Sequence, residues 1–321
     1  MHKKLCGEKI MADKKMEIKI GEAVFKNPIW VASGTFGNGE EFRDFVDLEK
    51  VGAIITKTVT LNAREGNPPP RIVETSSGLL NSIGLENGGV EFFIKEHLPL
   101  LKKIDTRVIV SIAGQDDEDF VKCTLKIMEG ALAPDGIEVN LSCPNVSHGK
   151  TKYRLLAQDP KGTERIIRKI KKETDKIIIA KLSPNVTDIA EIAYAAEQGG
   201  ADAVSLVNTY LGLAVDANER KPILGNVAGG LSGPAIKPLA LRAVWDAYKK
   251  IKIPIIGIGG IMNGTDVAEF MLCGARAVQI GTANLASPDA YERILGEFED
   301  YLDKQKIEKA ENLTGALKVK G

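Results

Sequence analysis

Cysteine, net charge and long apolar runs are what this sequence has least of. Its four cysteines, Cys6, Cys123, Cys143 and Cys273, include no C-x-x-C pair. Thiols so scattered cannot ligate an iron-sulfur cluster, show no metal-ligand spacing and give no disulfide framework, so a reducing cytoplasm is the expected compartment. Charge is balanced at 43 basic against 43 acidic residues. No global field then favours nucleic acid or a membrane surface, and an anionic ligand has to be held by local groups. The most apolar run, Ile253 to Met262, is about ten residues, half of the roughly 20 that a spanning helix needs. The first 15 residues carry lysines where a signal peptide has its apolar stretch. Residues 1–15 are expected to be an N-terminal extension outside the fold, with Met11 as an alternative start. Repeats, low-complexity tracts and linkers are lacking too, which leaves one domain over 16–310 and a C-terminal tail over 311–321.

What is present is a series of short Val- and Ile-rich runs, each followed by a stretch with helical spacing. The runs are 29–32, 53–57, 108–112, 136–141, 177–182, 203–207, 254–258 and 277–280. Strands apolar on both faces, separated by helices such as 188–198 and 238–250, belong to a parallel sheet covered on both sides. Eight such units predict an α/β fold of the (β/α)8 TIM-barrel type. Ahead of them MEIKIGEAVF alternates apolar and polar residues around Gly21-Glu22, which predicts a β-hairpin closing the barrel bottom. Long rim loops are expected after strands two, four and six; the segments 58–90 and 209–234 exceed ordinary barrel connections, and long loops at this end usually carry function.

Polar residues recur at the carboxyl ends of these strands, where barrel enzymes assemble their sites. Ser33 ends the first, Lys57-Thr58 the second, Ser111 the third, Asn140 the fourth, Lys181 the fifth, Asn208-Thr209 the sixth, Gly259-Gly260 the seventh and Gly281-Thr282 the eighth. The glycines after strands seven and eight leave backbone N–H groups uncovered, as a phosphate cradle requires, and Gly233 in LSGPAIKP adds another. Tight turns alone would also use such glycines. Lys57 and Lys181 sit in apolar strands, where a lysine is costly unless it snorkels to the rim or meets an anion or polar ligand. Beside the pyrimidine edge of a flavin, such a lysine would stabilise the negative charge of the reduced ring. Asn81, Asn140, Asn145 and Asn208 could each cap a turn. Together they suit a flat heterocycle with imide and carboxylate edges.

Cys143, in NLSCPN, follows the fourth strand by two residues. Most cysteines are inert structural thiols. This one lies at the rim, and the following Pro144 restricts the backbone and so the direction of the side chain. With an unperturbed pKa of about 8.5 the thiol could serve as a nucleophile or as a general base. His2 and His97 lie away from the rim, and His148 is five residues on.

The stretches TKTVTLNAREGNPPPR (56–71), NSIGL (81–85), NLSCPN (140–145), KLSPNV (181–186), VNT (207–209) and GIGGI (257–261) together resemble the class 1 dihydroorotate dehydrogenases. KTVT and GNPPPR look most like class 1B, the FMN-containing catalytic subunit. The resemblance runs from about residue 16 to 305. It implies FMN-dependent oxidation of dihydroorotate to orotate in pyrimidine synthesis. Cys143 matches the family's base, which takes a proton from C5 while a hydride leaves C6 for N5 of FMN. Lys57, Asn81, Ser82, Ile83, Gly84, Leu85, Asn140, Asn145, Asn208 and Thr209 match its substrate contacts. Ser33, Lys57, Thr58, Asn140, Lys181, Val207, Gly233, Gly259, Gly260, Gly281 and Thr282 match its flavin contacts. Ser111 stands where the family usually has Asn, so a hydroxyl replaces an amide near the flavin. The lid-like loop 146–158 is more basic and less glycine-rich than the family's.

Electrons must leave the flavin. The class 1B likeness implies a homodimer core joined by an FAD and [2Fe-2S] subunit in a heterotetramer that delivers them to NAD; behaviour of the class 1A kind would use a soluble acceptor such as fumarate. Dihydropyrimidine dehydrogenase, with the same barrel and cysteine logic, is the nearest rival. A flavin-free phosphate-binding isomerase or lyase, which would need the glycine loops but not Cys143, is the rival from another class. A catalytically silent binding barrel is a third.

Overall fold

The computed structural model describes residues 15–142 and 158–319. Among them, eight parallel strands form a closed barrel: Ile29–Val31, Ala53–Ile55, Arg107–Ala113, Gly136–Asn140, Ile177–Lys181, Ala203–Leu206, Ile255–Ile258 and Ala275–Ile280. Each pairs with its sequence neighbours, the eighth with the first (Val278 opposite Ile29) and the second with the third (Ile54 opposite Val108), so no edge is left. The α/β TIM barrel expected from the eight runs is therefore the fold, and all eight strands fall within or beside their predicted segments.

A period of two divides each strand between helix side and barrel interior. Ile55, Ile109, Ile179, Ala203, Ile256 and Ala277 point inward at the amino end and join Trp30 and Ala53. The hairpin Ile18–Ile20 and Ala23–Phe25 lies under them, with Ile18, Ile20 and Phe25 buried against the same cluster. Phe25 stacks on Trp30 with ring centroids 4.5 Å apart. This plug seals the floor, as the alternating pattern predicts, and leaves the opposite end as the place where a ligand can reach the interior.

The outer helices start where their caps dictate. Asp188 accepts from the N–H groups of Ala190 and Glu191 ahead of helix Ile189–Gln198. Asn263 and Asp266 form a reciprocal capping box at helix Gly264–Leu272. No helix among the described residues is long and apolar enough to cross a membrane. Met16 is buried in the core and Lys15, placed by sequence in the extension, pairs with Asp303. Beyond residue 310 the chain stays on the body: Leu313 is buried, and the N–H groups of Gly315 and Leu317 donate to the carbonyls of Met271 and Leu272.

The two long rim connections build a sheet of their own. Tyr210–Leu213, Ala228–Ser232, Gly78–Asn81 and Ile72–Thr75 pair antiparallel in that order. Loops distant in the sequence thus share one wall above the barrel mouth.

Candidate active site

Above the sealed floor the inward positions change from apolar to polar. Thr58 Oγ1 lies 3.0 Å from Ser33 Oγ and 2.9 Å from Ser111 Oγ, and the Asn140 Nδ2 donates to it at 3.5 Å. Asn140 Oδ1 accepts from Asn208 Nδ2 at 3.3 Å and from the Ser142 N–H at 3.2 Å, while Asn208 Oδ1 accepts from the Thr209 N–H at 2.8 Å. One chain of hydrogen bonds thereby joins the ends of strands one, two, three, four and six. Such a belt fixes the direction of each amide, so a planar ligand meets donors and acceptors already oriented.

Lys57 and Lys181 both face the cavity enclosed by this belt, which has a volume of about 260 Å³. Lys57 is half-buried, and its ammonium has no hydrogen bond or ion pair among the described residues. Lys181 is 7% exposed, and its Nζ lies 3.6 Å from Oε1 of Glu138, which is fully buried. The other oxygen, Glu138 Oε2, accepts from Ser205 Oγ at 3.1 Å and Gln279 Nε2 at 2.8 Å. An isolated buried carboxylate would be prohibitive. Here two neutral donors and one cation hold it.

On the far side of the cavity lie Gly233, Gly259, Gly260, Gly281 and Thr282. None of the N–H groups of the four glycines donates a hydrogen bond to protein among the described residues. At Gly259 and Gly260 the protein itself demands glycine: φ is +130° and +77°, and a Cβ would come within 2.8 Å of Ala240 Cβ or Lys237 Cβ. At Gly281 the nearest atom to such a Cβ is 3.7 Å away. Gly233 is constrained as well, at φ +95° with a Cβ 2.8 Å from Gly78 Cα, so packing explains the residue type at three positions, and what points to an anion is the row of unclaimed N–H groups. Lys237 braces this wall from behind. Its Nζ donates to Asp266 Oδ1 at 2.6 Å and Glu269 Oε2 at 2.8 Å, and Asp266 Oδ2 accepts from the Met262 and Asn263 N–H groups. The loops after strands six and seven are therefore clamped together.

The rim sheet closes the remaining side with Ile72, Leu79, Asn81 and Ser232, followed by Ile83 and Leu85. Within NSIGL the odd positions face the cavity and the even ones do not. Ser82 Oγ accepts from Asn67 Nδ2 at 2.9 Å and Asn226 Nδ2 at 3.2 Å, and a Cβ at Gly84 would lie 2.6 Å from the Asn67 N. These two residues shape the loop that presents Asn81, Ile83 and Leu85. Asn185, on the loop after strand five, donates to the Thr209 carbonyl at 3.0 Å and accepts from the Leu211 N–H at 3.0 Å, which holds the other loop.

The structure thus brings Ser33, Lys57, Thr58, Asn81, Ile83, Leu85, Lys181, Val207, Asn208, Thr209, Gly233, Gly259, Gly260, Gly281 and Thr282 around one cavity. Ser111 and Asn140 stand in the hydrogen-bonded belt behind it. Cys143, Asn145 and the loop 146–157 lie outside the described residues.

The whole barrel, residues 15–302, matches the family model for dihydroorotate dehydrogenase. The chain belongs to the dihydroorotate dehydrogenase family. Its relatives include the protein named dihydroorotate dehydrogenase B (NAD(+)), catalytic subunit, of Geobacter sp. (strain M21), 49% identical over 95% of this chain and 98% of that one. The protein of the same name from Bacteroides thetaiotaomicron is 48% identical over 96% of this chain and the full length of its own. That of Desulforamulus reducens is 50% identical over 94% and 98%. The resemblance seen in six motifs therefore holds across nearly the whole chain.

Three features of this site are not visible as such in the sequence: Glu138, the Lys237 clamp and the cavity-facing side chains Ile72 and Leu79. Glu138 carried a signal, since it is an acid inside a strand otherwise apolar and lies two residues before Asn140 on the same face. The clamp carried none. A lysine at a helix start and an acid 29 residues later become partners only through the fold.

Proposed function

We propose that this protein oxidises (S)-dihydroorotate to orotate in the synthesis of pyrimidines, with FMN as cofactor and NAD as final electron acceptor. The observation that carries it is one cavity, in a dihydroorotate dehydrogenase barrel, where two lysines, a belt of oriented amides and a row of unclaimed backbone N–H groups converge.

These residues fit FMN. The N–H groups of Gly233, Gly259, Gly260 and Gly281, with Thr282, suit a dianionic phosphate; Ser33, Thr58, Ser111 and Asn140 suit the polar edge of a flavin; Lys181 supplies a positive charge near it, and Val207 an apolar contact. Bound there, FMN supplies a two-electron acceptor for the hydride that leaves C6 of dihydroorotate. Lys57 offers to the anionic substrate an ammonium free of protein partners among the described residues. Asn81, Asn140, Asn208 and Thr209 orient it through its imide and carboxylate groups, and Asn145 joins them from the loop after strand four. Ile83 and Leu85 cover it and exclude water, while Ser82 and Gly84 fix the course of their loop. Cys143 takes the proton from C5 as general base.

The relatives' names support a partner, since each calls its protein a catalytic subunit acting with NAD(+). In this reading a homodimer of barrels carries FAD and [2Fe-2S] subunits that pass electrons on, all in the cytoplasm. The catalytic domain spans 16–310.

The test is a paired assay. Purified protein is expected to release FMN on heat denaturation and to turn over dihydroorotate; release of no flavin, or turnover of dihydrouracil alone, contradicts the proposal.

A further inference from the structure

The mechanism above leaves one buried acid without a task. Glu138 lies inside the barrel between the apolar floor and the cavity, fully buried, with Oε2 bonded to Ser205 and Gln279. Its Oε1 has no hydrogen-bond partner among the described residues; the nearest cation is Lys181, with Nζ 3.6 Å away. The lysine in turn makes no hydrogen bond to protein among the described residues and borders the cavity. A merely structural carboxylate would be expected to use both oxygens, because a buried unsatisfied acceptor is costly. This one is fixed by two neutral donors on one oxygen and aims the other at Lys181, which borders the cavity.

We infer that Glu138 is a positioning residue that sets, through Lys181, how much positive charge the cavity presents to the bound flavin. The inference rests on the function proposed above. Two-electron reduction of a flavin that takes up one proton leaves one negative charge on the ring, and a cation beside it favours the reduced form. An anion 3.6 Å behind that cation turns a point charge into a pair whose outward field falls off more steeply. Lys181 alone would hold the electrons too tightly for onward transfer. Glu138 offsets part of that hold, so that dihydroorotate can deliver electrons and the acceptor can still withdraw them. Strand register makes the arrangement rigid: Glu138 pairs opposite Ile179 and Ser111, and Lys181 opposite Asn140 and Ser205.

The test is a reductive titration of the FMN-loaded protein with dithionite against a reference dye, for the wild type and Glu138→Gln. The amide keeps the size and removes the charge. The equilibrium constant for two-electron reduction is expected to rise at least tenfold, which is about 30 mV upward, and reoxidation by an external acceptor to slow. An unchanged or lowered potential overturns the inference. Where Glu138→Gln gives no folded flavoprotein, Glu138→Asp keeps the charge but draws it back from Lys181, and is expected to move the potential the same way by about threefold on the same scale; no shift, or a fall, again overturns it. Loose packing alone would weaken FMN binding without this direction of shift. If wild-type protein binds no FMN, or dihydroorotate does not reduce it, the function itself has failed; if both succeed and the potential ignores Glu138, only this inference has.

Discussion

The two ends of the barrel are built from the same eight strands and do opposite things. At the amino end the inward side chains are Ile, Ala and Trp, packed on a hairpin that closes the floor. Two to four residues further along, the inward positions are Glu138, Ser111, Asn140 and Lys181, of which Lys181 borders a cavity and the other three lie behind it. Burial supplies stability at one end and a dry, oriented site at the other, and the pleat keeps the two apart. Changes at the floor should therefore cost stability and spare the chemistry, and changes at the rim the reverse.

The largest expected effect lies at the floor. Trp30→Ala should lower the unfolding free energy by about 3–5 kcal/mol in a denaturant titration, as for other large buried aromatics, while the folded fraction keeps its affinity for FMN. Affinity lost in step with stability would break the division. Next comes the rim: Cys143→Ala should lower turnover at least 100-fold, about 2.7 kcal/mol in the barrier, with FMN retained and the melting temperature unchanged. Near-normal turnover would remove the thiol from its role. A smaller effect tests the wall between them. Lys237→Met releases the clamp on the loops after strands six and seven and should weaken FMN binding about tenfold, roughly 1.4 kcal/mol, read by fluorescence of released flavin; unchanged affinity would mean that the cradle holds without it.

The smallest effect belongs to the floor again. Burial pushes the Asp135 carboxyl up, but the Val108 N–H, Arg107 and Lys102 together bring it below the usual carboxylate range. A lowered carboxyl contributes stability that is present above its unfolded value, about 4, and is lost as pH falls through the folded value. Asp135→Asn should flatten that acid limb of the stability profile and leave FMN binding at neutral pH unchanged. A limb of the same steepness in the variant would assign the acid loss to other carboxyls.

Much of this plan was legible because barrel strands are apolar on both faces. Runs such as IIIAK stand out without knowledge of their partners, and the polar residue that ends each one marks the rim. The belt was half legible: Thr58, Asn140 and Asn208 were visible as types, but their mutual bonds depend on register. The rim sheet was not legible, because its strands, among them GLLN and AGGLS, are short, glycine-containing and paired between loops far apart in the sequence. Within NSIGL a motif treated as a block splits into cavity-facing and scaffold positions, since an extended chain shows alternate side chains to each side. Glu138 stood out as an acid among apolar neighbours, but only the barrel's curvature reveals that Ser205, Gln279 and Lys181 surround it.

The central claim is that the rim cavity holds a flavin that dihydroorotate reduces. The most direct measurement adds dihydroorotate to the FMN-loaded protein in the absence of oxygen and of any acceptor while the visible spectrum is recorded. The account predicts that the flavin band near 450 nm (roughly, as for oxidised flavins generally) bleaches as about one orotate forms per flavin. A band that persists at saturating dihydroorotate, in protein whose flavin dithionite does reduce, would contradict it.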